Sequence, residues 1–154
     1  MSQASERLRP ARREGGGDGL DIRGAGDVQR LVCRVRAQAE RMGFSVVDGT
    51  QLATAASELA MNMLKYAGGG SMRWYPVATG AEVGMEILAR DRGPGIADLE
   101  LAMREHFSSR GTLGLGLPGT RRLMDEFWID SEPGKGTRVC VRKWRRSISS
   151  CRLD

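Results

Sequence analysis

Val83-Gly84-Met85-Glu86-Ile87-Leu88-Ala89-Arg90 runs directly into Asp91-Arg92-Gly93-Pro94-Gly95. In the first eight residues Val83, Met85, Ile87 and Ala89 alternate with Gly84, Glu86, Leu88 and Arg90. That period of two is the mark of a strand with one covered face. Gly93-Pro94-Gly95 then ends the strand in a turn. Asp91 keeps the parity of Ile87 and Ala89, so it is expected on the covered side, where a carboxylate needs a donor. The plain alternative is an Asp-Gly turn residue.

Reading outward, Met72 to Val77 forms a second strand that pairs with the first as a hairpin. Upstream of it the period changes to that of a helix. Leu52, Ala56, Leu59, Met63 and Tyr66 make one apolar stripe, opened at Asp48 with Gln51 as a capping-box partner and closed by Gly68-Gly69-Gly70. Val28, Leu31, Val32, Val35, Ala39 and Met42 make another, with Asp27 as its cap and Gly43 as its stop. Downstream, a short helix spans Asp98 to about Glu105, and a glycine-bearing stretch runs from Phe107 to Gly116. Pro118 suits the first turn of a helix reaching about Asp125. Strands at Phe127 to Asp130 and Thr137 to Lys143, joined by a turn at Glu132 to Gly136, complete an α+β chain with helices early and strands late, a two-layer α/β sandwich.

The 154 residues have a mass of 16.8 kDa. A chain of this size buries roughly 70% of its unfolded surface, enough for one core. With 40% hydrophobic and 28% charged residues it falls in the globular range, and no run approaches the ~20 apolar residues of a spanning helix. A membrane-embedded class is excluded. The net charge of +5, from 24 basic against 19 acidic residues, concentrates at the two ends. Residues 1–19 are expected to be a flexible Arg- and Gly-rich tail, 146–154 a basic tail, and 20–145 the folded domain. Basic ends can bind nucleic acid, but only 5% of the chain is aromatic, which leaves little for base stacking and argues against that partner. Cys33, Cys140 and Cys151 lack metal-ligand spacing, and a reducing cytoplasm fits them.

Two glycine motifs are decoys. Gly114-Leu115-Gly116-Leu117-Pro118-Gly119 matches the dinucleotide fingerprint, yet the polar stretch before it is no strand. Gly134-Lys135-Gly136-Thr137 imitates a phosphate loop, but Ile129 stands where its first glycine is required. What remains is an ordered series: Glu58-Leu59-Ala60-Met61-Asn62 on a helix, Asp91 to Gly95 at a strand end, the Gly111 to Gly119 loop, and Gly136-Thr137 opening the last strand. The series resembles the Bergerat-fold ATPases of the GHKL superfamily. Ser57 to Asn62, Asp91 to Ile96 and Gly114 to Phe127 are similar, more narrowly, to the serine/threonine switch kinases of bacterial stressosome modules and to anti-sigma-factor kinases.

That resemblance implies a mixed sheet covered on one face by helices, ATP and Mg²⁺ as cofactors, and phosphorylation of a STAS-domain partner, with a phosphatase or sigma-factor regulator downstream. It assigns Glu58 as the base, Asn62 as the metal ligand, Asp91 as acceptor for the adenine amine, and Thr137 as a residue near adenine. Residue chemistry is compatible. Glu58, Asn62 and Lys65 share one helix face beside the apolar stripe. A carboxylate there can take a proton and an amide oxygen can hold Mg²⁺, whereas Lys65 either reaches a phosphate or only covers the helix. Gly93 and Gly95 admit close backbone approach. Gly111, Gly114 and Gly116 lead into a helix start, which is an anion site by virtue of its free N–H groups. His106 reads as a surface residue. The alternative class is a non-catalytic, nucleotide-dependent binding protein, against which the retention of Glu58 argues.

Overall fold

The computed structural model describes residues 8–96, 103 and 116–146. The elements are β1 (Arg12–Arg13), β2 (Asp18–Ile22), α1 (Ala25–Arg41), α2 (Val46–Ala67), β3 (Gly70–Ala78), β4 (Val83–Arg90), α3 (Gly116–Leu123), β5 (Glu126–Glu132) and β6 (Gly136–Trp144). The expected helix over 98–105 and the loop from 107 lie outside the described residues.

Both long helices begin three residues before or beside the acidic residues that the sequence reading made their caps. Ser45 is the N-cap of α2, its Oγ accepting from the Asp48 N–H at 3.1 Å, so Asp48 occupies the third helical position. In α1, Gly24 is the cap and Asp27 sits in the first turn. The Asp27 carboxylate accepts from the Arg23 and Gly24 N–H groups at 2.9 and 3.1 Å. The Arg23 bond, outweighing desolvation and helped by the Gly24 bond, holds that carboxyl below its usual range. The expected caps Asp27 and Asp48 are therefore corrected to Gly24 and Ser45, three residues or nearly one turn earlier, with each aspartate in the first turn of its helix. At the other end of α2, Gly68 adopts φ +75° and stops the helix as expected.

The strands form one sheet in the order β1-β3-β4-β6-β5, with β2 also on β3. The sheet expected as mixed carries only antiparallel pairings among the described residues. The helices cover one face. Met72 and Trp74 of β3, Met85, Ile87 and Ala89 of β4, Val139 and Val141 of β6, and Phe127 and Ile129 of β5 point into that layer. There they meet Leu31 and Val35 of α1 and Leu52, Leu59 and Met63 of α2. The two-layer α+β sandwich is therefore realised, its core set by the alternation that opened the sequence reading.

Two expectations are overturned. Tyr66, placed in the apolar stripe of α2, is 54% exposed. The stripe narrows where α2 passes the end of the sheet. More consequentially, residues 8–19 are not free. β1 and β2 pair in turn along β3, Arg12 opposite Ala78 and Asp18 opposite Trp74, so this stretch is an interrupted edge strand. Residues 8–11 then cross the helix-free face, where Ala11 packs on Tyr75, Val77 and Trp144. Its few apolar groups suffice because ion pairs described below hold it. Residues 1–7 and 147–154, the rest of the expected tails, are outside the described residues.

Candidate functional site

α2 presents different residues on its two flanks because 100° separates successive positions. Gly49 faces α1, its Cβ direction meeting the Ala39 side chain at 3.5 Å. Glu58 and Asn62 lie on the opposite flank. Asp48 marks that flank independently, since its carboxylate is 3.9 Å from Lys143 Nζ, a group that also donates to the Leu123 carbonyl at the end of α3 at 2.8 Å. Glu58 and Asn62 are half-buried, Lys65 is exposed, and the Lys65 ammonium lies 5.2 Å from the Tyr66 ring. Among the described residues neither Glu58 nor Asn62 spends its side chain on a protein hydrogen bond. Partly buried polar groups without protein partners suit a ligand.

The end of β4 is locked to the C-terminal end of α2. A side chain at Gly93 would press on Ala67 Cβ at 2.5 Å, and one at Gly70 on Met63 Sδ at 2.9 Å and Asp91 Cβ at 3.1 Å. Only glycine allows this approach at position 93. Asp91, half-buried on the helix side as its parity required, accepts the Gly93 N–H through Oδ1 at 2.9 Å, and its own N–H donates to the Thr137 carbonyl at 3.0 Å. One carboxylate oxygen thus fixes the turn and leaves the other to a ligand. The donor that the sequence reading demanded is partly supplied by the turn itself.

Behind this turn stands the β5–β6 hairpin. Gly95, at φ +77°, sits where a Cβ would run into the Glu132 carbonyl, and the Gly134 N–H donates to the Pro94 carbonyl at 2.7 Å. Ser131 is the hub. Its hydroxyl is 2.8 Å from Thr137 Oγ1, donates to the Gly136 carbonyl at 3.2 Å, and accepts the Ile96 N–H at 2.8 Å. Sequence reading missed Ser131, although its parity with Phe127 and Ile129 would have put it beside Thr137 on the helix side.

The structure therefore brings together Asp91, Gly93, Gly95 and Thr137, and sets them against the last turns of the helix carrying Asn62 and Lys65. Glu58 lies one turn further back, about 6 Å along the axis. Gly111 and Gly114 lie outside the described residues. Gly116 is described, opening α3 at φ +59°, with its carbonyl accepting from Thr120 Oγ1 at 3.0 Å. No helix of the described residues is long and apolar enough to cross a membrane.

Comparison with known proteins agrees with this geometry. A family model described as histidine kinase-, DNA gyrase B-, and HSP90-like ATPase matches residues 47–147. The serine/threonine-protein kinase RsbT of Bacillus subtilis (strain 168) is 46% identical over 111 residues, covering 72% of this chain and 84% of that protein. The anti-sigma F factor of Thermoanaerobacter sp. (strain X514) is 28% identical over 116 residues, covering 71% and 80%. Among solved structures, the mycobacterial sensor histidine kinase MprB is similar in fold, with a TM-score of 0.50 at 19% identity over 86% of this chain and 100% of that one.

Proposed function

The chain belongs to the histidine kinase-, DNA gyrase B-, and HSP90-like ATPase family and, within it, to the group of the serine/threonine-protein kinase RsbT; from that premise we propose that it transfers the γ-phosphoryl group of ATP to a serine or threonine of a STAS-domain partner in a bacterial partner-switching module. The observation that carries this reading is the packing of the Asp91 to Gly95 turn against the end of the helix bearing Glu58 and Asn62, in a chain 46% identical to a protein kinase over most of its length.

Asp91 accepts the exocyclic amine of adenine through the oxygen not used by Gly93. Gly93 and Gly95 let the base approach the backbone, and Thr137, held by Ser131, lines the same wall. Gly111, Gly114 and Gly116, with Lys65, attend the phosphates. Asn62 is the residue that would hold Mg²⁺, which when bound neutralises phosphate charge. Glu58 takes the proton of the acceptor hydroxyl as its oxygen bonds to the γ-phosphorus and the bond to the β-bridging oxygen breaks, leaving ADP. Such transfer is mostly positioning and charge stabilisation, so a small site suffices.

The test is Glu58→Gln assayed with labelled ATP and a STAS-domain protein. General-base loss is expected to slow transfer by roughly 10²–10⁴-fold while ATP affinity stays unchanged. Asn62→Ala is expected to weaken Mg·ATP binding itself. Wild-type turnover by Glu58→Gln, or tight partner binding by wild type with no transfer, would replace the kinase with a binding module.

A further inference from the structure

Strand register divides the helix-free face of the sheet into two halves. In one half, Tyr75, Glu86, Arg142 and Glu126 lie abreast, and beside them Val77, Gly84 and Trp144. The N-terminal segment covers this half, with the Arg13 guanidinium 4.0 Å from the Tyr75 ring and that of Arg9 4.8 Å from the Trp144 ring. In the other half, Arg73, Leu88, Cys140 and Trp128 form one row, and Ser71, Arg90, Arg138 and Asp130 the next. No described residue covers Leu88, Trp128 and the arginines as Ala11 and Arg13 cover the first half, although Cys140 between Leu88 and Trp128 is buried. Leu88 and Trp128 are half-buried, and Arg73, Arg90 and Arg138 are exposed.

The charges there are unbalanced. Arg138 pairs with Asp130 at 2.6 Å and lies 5.7 Å from the Trp128 ring. Arg73 and Arg90 have no ion-pair partner among the described residues, and Asp21 on the adjoining edge is engaged by Arg23 at 3.6 Å. Two unpaired guanidinium groups flanking an apolar centre of Leu88 and Trp128 make a surface of the composition that protein interfaces favour, with arginine and tryptophan enriched. We propose that this uncovered half of the sheet docks a protein partner through an acidic surface that carries a central apolar residue.

Charge complementarity selects that occupant. A second copy would set Arg73 and Arg90 against the same cations, which like-charge repulsion opposes. A nucleic acid would engage Arg73 and Arg90 through its phosphates but leave Leu88 without an apolar partner, and the Trp128 ring is already faced by Arg138. The patch lies across the sheet from Glu58, so a docked partner leaves the helix side accessible. It also borders the nucleotide turn, because Arg90 is followed directly by Asp91.

The test uses the full chain, ¹⁵N-labelled, titrated with a peptide of alternating Glu and Leu residues, a Lys/Leu peptide of equal length, and a single-stranded DNA 20-mer. The acidic peptide is expected to shift the amide signals of Arg73, Leu88 and Arg90 and the Trp128 indole but not those of Trp74, with affinity falling as salt rises. Arg73→Glu/Arg90→Glu, a change of exposed residues whose melting temperature is checked against wild type, is expected to weaken the acidic peptide at least tenfold and to admit the Lys/Leu peptide. The proposal is overturned by shifts that spare this half, by DNA binding tighter than the acidic peptide, by unchanged affinity in the double variant, or by concentration-dependent self-association that the double variant abolishes.

Discussion

The two faces of the sheet are built from the same strands by opposite means. On the helix side, Phe127, Ile129, Ile87 and Val141 are each at most 2% exposed, and non-directional apolar burial holds them. On the far side, Glu86 at 2% and Arg142 at 7% exposure are buried charges. Arg142 Nε meets Glu86 Oε2 at 2.8 Å, Arg13 Nη2 meets Glu86 Oε1 at 2.7 Å, and the second Arg142 arm donates to the Arg9 carbonyl. Arg9 in turn donates its N–H to Glu126 Oε1 at 2.6 Å, while Trp144 Nε1 donates to Glu126 Oε2 at 2.6 Å. The difference teaches that an arm poor in apolar residues is ordered when it completes a buried charge network, because an incomplete network would cost more than the arm's entropy.

The neighbours Phe127 and Trp128 separate the two regimes most sharply, being adjacent in β5 with opposite parity. Phe127→Ala is expected to cost about 3–5 kcal/mol, the transfer and cavity terms of a large buried ring. Trp128→Ala, at a half-buried position, is expected to cost well under half as much. Urea unfolding of both measures the contrast, and equal losses would erase the distinction between the faces. Next in size, Glu86→Leu leaves Arg142 buried without its carboxylate and is expected to cost about 3 kcal/mol, whereas Glu86→Leu/Arg142→Leu recovers most of that loss. Recovery belongs to the pair alone, since Arg13, with its side chain 48% exposed, can return to water. A double variant as unstable as the single one would mean that packing around the arm, and not charge, orders it.

How much of this was legible follows from the range of each interaction. Parity along β4 is local, so the helix-side core, the hairpin and the covered position of Asp91 could all be read from eight consecutive residues and their turn. The same parity assigned Glu86 to an open face, and that was where reading failed. Its partners Arg13 and Arg142 are 73 and 56 residues away, and nothing local marks a charge as paired. Residues 8–13 look like a tail for the same reason. In the candidate site, Glu58, Asn62, Lys65, Asp91, Gly93, Gly95 and Thr137 stand out in the sequence as motif residues, because glycine and carboxylate requirements are written into a few positions. Ser131 was not, because a serine bridging a turn to a hairpin leaves no periodic signal.

The Asp91 to Gly95 turn, where β4 leaves the sheet beside both faces, is expected to give an intermediate effect. Asp91→Ala is expected to weaken ATP by roughly tenfold to a hundredfold, the range for losing a hydrogen bond to a charged group, about 1–3 kcal/mol. It should also flatten any preference over GTP, whose base carries a carbonyl where adenine has its amine. Calorimetry with both nucleotides checks it. Equal ATP and GTP affinity in the wild type would remove Asp91 from base recognition, while leaving the contrast between the faces intact.

The smallest effect concerns Cys140, which lies on the far face one row from the charge network. Burial pushes its thiol up to about 12, the Glu86 carboxylate adds to the shift, and Arg142 and Arg13 oppose it. The folded chain therefore keeps its proton at a pH where the unfolded chain, with the ordinary value of 9.0, releases it. The sign follows from linkage: the contribution to stability is complete below about pH 9 and is lost progressively as pH rises toward 12, because the unfolded state then binds fewer protons than the native one. Melting temperatures of wild type and Cys140→Val, compared from pH 8 to 11, isolate this one group, as every other titrating residue is common to both. Wild type is expected to fall more steeply above pH 9. At pH 8.5 iodoacetamide is expected to label the exposed Cys33 and to spare Cys140, which peptide mass mapping reads directly. Parallel melting curves together with rapid Cys140 labelling would mean that Cys140 is open to water in solution and that the far face beside the charge network is not closed there.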